Sequence, residues 1–173
     1  MKCGPEGGIL LLCYGNPARL DDGLGPAFAA AIEKIAPHGV NVETDYQLAL
    51  EDVKTAAEHR MVIFVDAAVT GEEPFFFRPV RPKAALSFSS HSLEPEQVLA
   101  LAEQLFGRKP EGYALGIRGY AFNDFGEQLT PAAQANLNSA LRFLTKAIER
   151  GDFAPAPAAV RSGGTDRAPG NGD

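Results

Sequence analysis

Short apolar runs alternate with amphipathic stretches along the chain. Ile9-Leu10-Leu11-Leu12-Cys13-Tyr14 is continuously apolar and stops at Gly15-Asn16-Pro17. That is the pattern of a strand buried on both faces that enters a turn. Leu24, Phe28, Ile32 and Ile35 then recur near helical spacing and predict a helix over roughly 26–35, stopped by Pro37 and Gly39. The alternation from Val40 to Gln47 predicts a second strand, and Glu51 to His59 a short helix. Met61-Val62-Ile63-Phe64-Val65 is a third strand, ending at Asp66. Phe75 to Val80 is a fourth, placed at a sheet edge because Pro79 and Pro82 cannot donate to a ladder.

The second half repeats the theme. Ser87 to Ser92 reads as loop, and Pro95 opens a helix to Phe106 with Val98, Leu101 and Leu105 on one face. Tyr113 to Tyr120 is a fifth strand. Thr130-Pro131 has the form of an N-cap followed by a first helical residue. The helix it opens runs to Arg150, with Leu137, Leu141, Leu144 and Ile148 toward the core. Strands that alternate with helices in this way predict an α/β fold in three layers, a mostly parallel, twisted five-stranded sheet with helices on both faces. In such sheets ligands bind beyond the carboxyl ends of the strands.

Composition narrows the picture. The 173 residues suit one domain, and 45% apolar with 22% charged residues is ordinary globular usage. The folded domain is expected over residues 1–150. Residues 151–173 are rich in Pro, Ala and Gly with almost no large apolar side chain, and are expected to form a disordered tail. Sixteen Lys and Arg against 22 Asp and Glu give a formal charge of −6. That balance offers no electrostatic reason to seek nucleic acid or an anionic membrane. Cys3 and Cys13 fit no zinc or redox spacing, and Cys13 within its strand is expected to be a small buried residue. No apolar run reaches membrane length, so the cytoplasm is the default compartment.

Three polar segments fall where the fold class puts chemistry. One is the loop Gly15 to Gly25, which holds Asp21 and Asp22; another is Asp66; the third is Ser89-Ser90-His91-Ser92 before a helix. Each has a structural alternative. Asp66 would serve as a cap or turn residue, the DD pair would favour a helix's positive end, and His91 would bond local backbone at a helix entry. Together, two carboxylates and one imidazole form an O,O,N set suited to a borderline divalent ion with open positions. No phosphate loop is present, since GLG is neither GxGxxG nor GxxxxGK[ST]. No Ser-His-Asp or Cys-His signature nominates a covalent nucleophile.

Four segments, in order, resemble the maturation proteases of nickel–iron hydrogenases. They are GNPARLDDGLG (Gly15 to Gly25), VIFVDAAV (Val62 to Val69), SSHSLEPEQVLALAEQLFG (Ser89 to Gly107) and GIRGYAFNDFGEQLTPAA (Gly116 to Ala133). The resemblance implies an endopeptidase that removes a C-terminal extension from the hydrogenase large-subunit precursor once nickel is inserted. It implies that the nickel arrives with the substrate and is contacted by Asp22, Asp66 and His91, with no resident organic cofactor. Asp21 is the rival to Asp22, and some relatives carry Glu at that position. Gly15, Asn16, Asp21 and the region from Arg118 to Phe125 are the further elements expected to face substrate; for Arg118 a solvated strand-end charge is the favoured alternative. Tyr46-Gln47-Leu48-Ala49-Leu50-Glu51 resembles the QLxPE pattern of the branch serving bidirectional, NAD-reducing hydrogenases, with Leu50 in place of the proline. The competing classes are a metallohydrolase with its own zinc and a non-enzymatic, small-ligand-binding α/β domain.

Overall fold

The computed structural model describes residues 7–84 and 92–155, so Cys3, most of the expected loop at 87–92, His91 and the end of the expected tail lie outside the described residues. The apolar runs become one five-stranded sheet. Its strands are β1 (Ile9–Tyr14), β2 (Val40–Asp45), β3 (Met61–Ala68), β4 (Phe75–Val80) and β5 (Glu111–Arg118), in the order β2-β1-β3-β5-β4. All neighbours pair in parallel except β4, which runs antiparallel to β5 at the edge expected for it. The helices are α1 (Leu24–Ile35), α2 (Leu50–Ala57), α3 (Pro95–Phe106) and α4 (Pro131–Arg150).

Two apolar cores, one on each face, explain why β1 from Ile9 to Cys13 and β3 from Met61 to Val65 are continuously apolar. Leu11, Cys13, Ile63 and Val65 pack with α1 and α4, while Leu10, Leu12, Val62 and Phe64 pack with α2 and α3. A strand covered on both sides has no position free for a polar residue. Cys13 is buried and its thiol is pushed up, first by desolvation and then by Glu33, as befits a small packing residue. The Thr130 hydroxyl caps α4 as its position predicts, accepting from the Ala133 N–H at 3.3 Å. Among the described residues no helix is long and apolar enough to cross a membrane.

Beyond shifts of one or two residues at the ends of β2, α2 and β5, the structure differs from the periodicity in three places. Strand β3 does not end before Asp66. Pairing with β5 continues through Ala68–Arg118, so Asp66 sits inside the ladder opposite Gly116. Ile35 and Leu105 lie in the last turns of α1 and α3 and are 47% and 59% exposed. Phe153, within the segment expected to be tail, packs on the core with its ring 5.9 Å from that of Tyr113.

The chain leaves β1 toward β2 on one side and returns to β3 on the other. The carboxyl ends of β1 and β3 therefore flank the topological switch point, where open α/β sheets form a crevice.

Candidate functional site

Asp66 projects at this switch point, near the carboxyl end of β3, on the α2/α3 side with Val62 and Phe64. It is half-buried, and its Oδ1 accepts from the Ala67 N–H at 2.7 Å. Burial pushes its carboxyl up to about 7, and the carboxylates of Asp22 and Glu94 add to the rise against the opposing Ala67 bond. Desolvation and like charge both favour the protonated acid. Asp22 and Asp66, 44 positions apart by their numbering, thus face the same crevice.

Asp22 is brought there by a tightly folded loop. Its Oδ2 accepts from the Asn16 N–H at 3.0 Å, and its N–H donates to Arg19 O at 3.1 Å. The loop leaves β1 through Gly15, whose φ is +142° and whose added Cβ would lie 2.1 Å from Asp22 O. Gly25, at the start of α1, is as close to β1: a Cβ there would lie 2.2 Å from Tyr14 O. The glycines of the first motif are therefore a packing requirement. Gly15→Ala is expected to displace the Asp22 backbone and cost at least about 2 kcal/mol, read as a lower denaturation midpoint at unchanged slope.

Asp21, the neighbour and rival, does a different job. It is fully buried. Its Oδ1 accepts from Thr130 N–H at 2.8 Å, and its Oδ2 from Tyr120 N–H at 2.8 Å, Ala121 N–H at 3.1 Å and the Thr130 hydroxyl at 2.8 Å. Burial acts to raise its pKa, but these four bonds together outweigh it and hold the carboxyl below its ordinary value. A carboxylate with this many donors has no capacity left for a ligand. The expectation that Asp21 faces substrate is thereby corrected: it is a pin between the first loop and the 119–130 segment.

Asn16 and Arg118 are also occupied. Asn16 Oδ1 accepts from Ala18 N–H at 2.9 Å, which closes the turn locally. Arg118 donates from Nε to Gly119 O at 3.2 Å and from Nη1 to Gly71 O at 2.9 Å, and lies 5.3 Å from the Tyr120 ring centroid. It ties the segment after β3 to the end of β5.

Two residues that periodicity did not nominate join Asp66. Tyr14 ends β1 on the same face, and burial followed by Asp66, Glu94 and Glu96 pushes its phenol up, so it stays neutral. The only signal was a polar-tipped ring closing an aliphatic run. Glu94 caps α3, whose Pro95 opening gave no hint of an electrostatic role. His91 lies outside the described residues, but the chain resumes beside the crevice. Leu93 is buried, and its N–H donates to Leu48 O at 2.9 Å. Among the described residues, no three His, Cys, Asp or Glu side chains stand close enough to hold a metal together, and the only ion pair is Lys109–Glu103, at the other end of the sheet. The crevice is acidic and lacks a countercharge from those residues.

No family model matches the chain, and no curated protein does. Solved structures share its fold. The hydrogenase maturating endopeptidase HybD from E. coli superposes with a TM-score of 0.67 at 21% identity, covering 87% of this chain and 97% of that one. A NiFe hydrogenase maturation protease, HycI, from Thermococcus kodakarensis KOD1 gives 0.62 at 20% identity, covering 82% and 92%. The endopeptidase HycI from Escherichia coli gives 0.60 at 19% identity, covering 90% and 99%. At these identities the likeness establishes the fold.

Proposed function

We propose that this chain is an endopeptidase that removes the C-terminal extension of a nickel–iron hydrogenase large-subunit precursor after nickel insertion. Substrate nickel is read by Asp22, Asp66 and His91. The observation that carries this reading is the convergence of Asp22 and Asp66 at the switch point, where each carboxylate lacks a cation among the described residues. A crevice that holds like charges together favours an incoming divalent ion. Support also comes from the shared fold with maturation endopeptidases and from the four sequence segments that resemble that family. Glu94, three residues beyond His91, lies near enough to Asp66 for its charge to act there, which supports this reading.

In this mechanism the nickel arrives with the precursor, and no resident organic cofactor takes part. The three side chains would hold the ion, and the scissile peptide would be positioned beside it; the metal would either serve for that positioning alone or also supply Lewis-acid chemistry to the carbonyl or a water. The hydrogenase would belong to the bidirectional, NAD-reducing class, on the Tyr46-to-Glu51 pattern, and the encounter would take place in the cytoplasm.

The test is incubation of the purified chain with nickel-loaded and nickel-free precursor. Trimming of the loaded form alone is expected, read as a mass loss at the precursor's C-terminus. Equal trimming of both forms, or of neither, refutes the proposal. Stoichiometric zinc in the protein as purified would favour a resident-metal hydrolase instead.

A further inference from the structure

The carboxyl edge of the sheet carries an exposed aromatic side chain that the crevice chemistry does not use. Phe125 is 87% exposed, on the segment between β5 and α4. A bulky apolar side chain left in water on a floppy loop means little. This one stands on a loop that is held at several points. Leu20 N–H donates to Gly126 O at 2.8 Å, Gly126 N–H to Ala18 O at 2.9 Å and Asp21 N–H to Ala121 O at 3.0 Å. The Asp21 carboxylate grips Tyr120, Ala121 and Thr130 from the same loop. Gly126 lies so near Leu20 that an added Cβ would be 2.6 Å from its Cδ2.

The anchor is continuous with the proposed site. The Arg19 guanidinium carbon lies 6.0 Å from the Phe125 ring centroid, and Arg19 O accepts from the Asp22 N–H. Phe125 and the metal-reading carboxylate are thus carried by one hydrogen-bonded unit. Rigid aromatic side chains lose little entropy on binding and dominate interfaces when a partner pocket covers them. The net charge around it defines that partner. Arg19 and Arg118 are cations on this edge, but Asp124 and Glu127 flank Phe125 in sequence, both exposed, and Asp22, Glu72, Glu73 and Glu94 lie on the same edge of the sheet, so acids outnumber bases there.

We infer that Phe125 is the docking anchor for the folded body of the precursor, which would offer an apolar recess rimmed by basic side chains. The inference rests on the proposed function and adds to it a contact remote from the scissile bond. Insertion of Phe125 sets the distance between the bound protein and the crevice, and the acidic surround steers a basic face toward it.

The experiment uses the full chain with nickel-loaded precursor. Phe125→Ala is expected to raise KM, and the dissociation constant measured directly, roughly 10- to 100-fold. At saturating precursor kcat should stay within about twofold, because the contact is equal in ground and transition states. Leu105→Ala, an exposed apolar residue at the opposite edge of the sheet, should change neither. Unchanged KM and dissociation constant for Phe125→Ala overturn the anchor while leaving the proposed function standing, provided the parent chain processes. A fall in kcat alone, or a self-association of the chain that Phe125→Ala abolishes, overturns it too. Failure of the parent chain to process or bind the precursor refutes the proposed function, and the anchor falls with it.

Discussion

Asp66→Asn is expected to abolish precursor processing and, at the same time, to make the metal-free protein more stable above neutral pH. Both effects come from one carboxyl. In the fold its pKa stands at about 7, against an ordinary 3.8, because burial and the charges of Asp22 and Glu94 disfavour ionisation. Well below that ordinary value the acid is protonated in both folded and unfolded chains and contributes no difference. As pH rises through it toward 7 the unfolded chain ionises freely and the folded one resists. The native state then binds the proton more tightly, and stability falls with pH until the folded group also ionises. Above pH 7 the penalty is constant. A carboxyl raised from 3.8 to about 7 sets a ceiling of about 4 kcal/mol on that penalty. With local relaxation about 2 kcal/mol is a reasonable expectation, or roughly 4–8 °C in Tm at this chain length.

Asparagine retains an oxygen to accept from Ala67 N–H but never carries charge. The Tm difference between variant and parent should therefore be near zero at about pH 3, open through about pH 4–7, and level off by about pH 8. Processing should fall by about 10²–10³-fold or more, the usual loss when one preorganised electrostatic contact to a reacting centre is removed. A variant that processes normally removes Asp66 from the site. A Tm difference that is flat with pH shows that the carboxyl is not held protonated by its surroundings.

How far the sequence carried this picture depends on the range of the interactions involved. The strands and helices follow from local pattern, because each buries a face whose periodicity is written in consecutive residues. Thr130-Pro131 and Phe75–Val80 are cases where capping and proline chemistry alone fixed the element. The position of Asp66 was legible for the same reason, as the first acid after five apolar residues. Its register was not. That the ladder continues to Ala68 depends on β5, more than 40 residues later, and no local signal reports a partner strand's length. Asp21 and Asp22 are identical in residue type and adjacent, so nothing in the loop tells them apart. What separates them is the 119–130 segment, about a hundred residues away, which closes on Asp21 and leaves Asp22 toward the crevice. Glu94 and Tyr14 act through charge and burial across element boundaries, which periodicity does not describe.

That separation of the two acids can be measured. Asp21→Ala is expected to destabilise the fold by about 3–5 kcal/mol, the cost of breaking a buried, hydrogen-bonded ionic group by removing one partner. Three backbone N–H groups and the Thr130 hydroxyl lose their acceptor together, around a carboxylate that is itself fully buried. The loss should show as a fall on the order of 10 °C in Tm. Asp21→Asn should rescue little, since its amide turns donors toward donors. The carboxyl is held below its ordinary value, so its contribution is present at neutral pH and is lost as pH falls through that depressed value; the parent and Asp21→Ala curves should converge in acid. Asp22→Asn makes the opposite prediction. Asp22 is half-buried and accepts one bond, from Asn16 N–H, which an asparagine oxygen also accepts. Its Tm should move by no more than about 2 °C, while processing is lost. If instead Asp21→Ala keeps the parent's Tm and loses only processing, the roles of the two aspartates are reversed, and the metal-reading set begins one residue earlier in the loop.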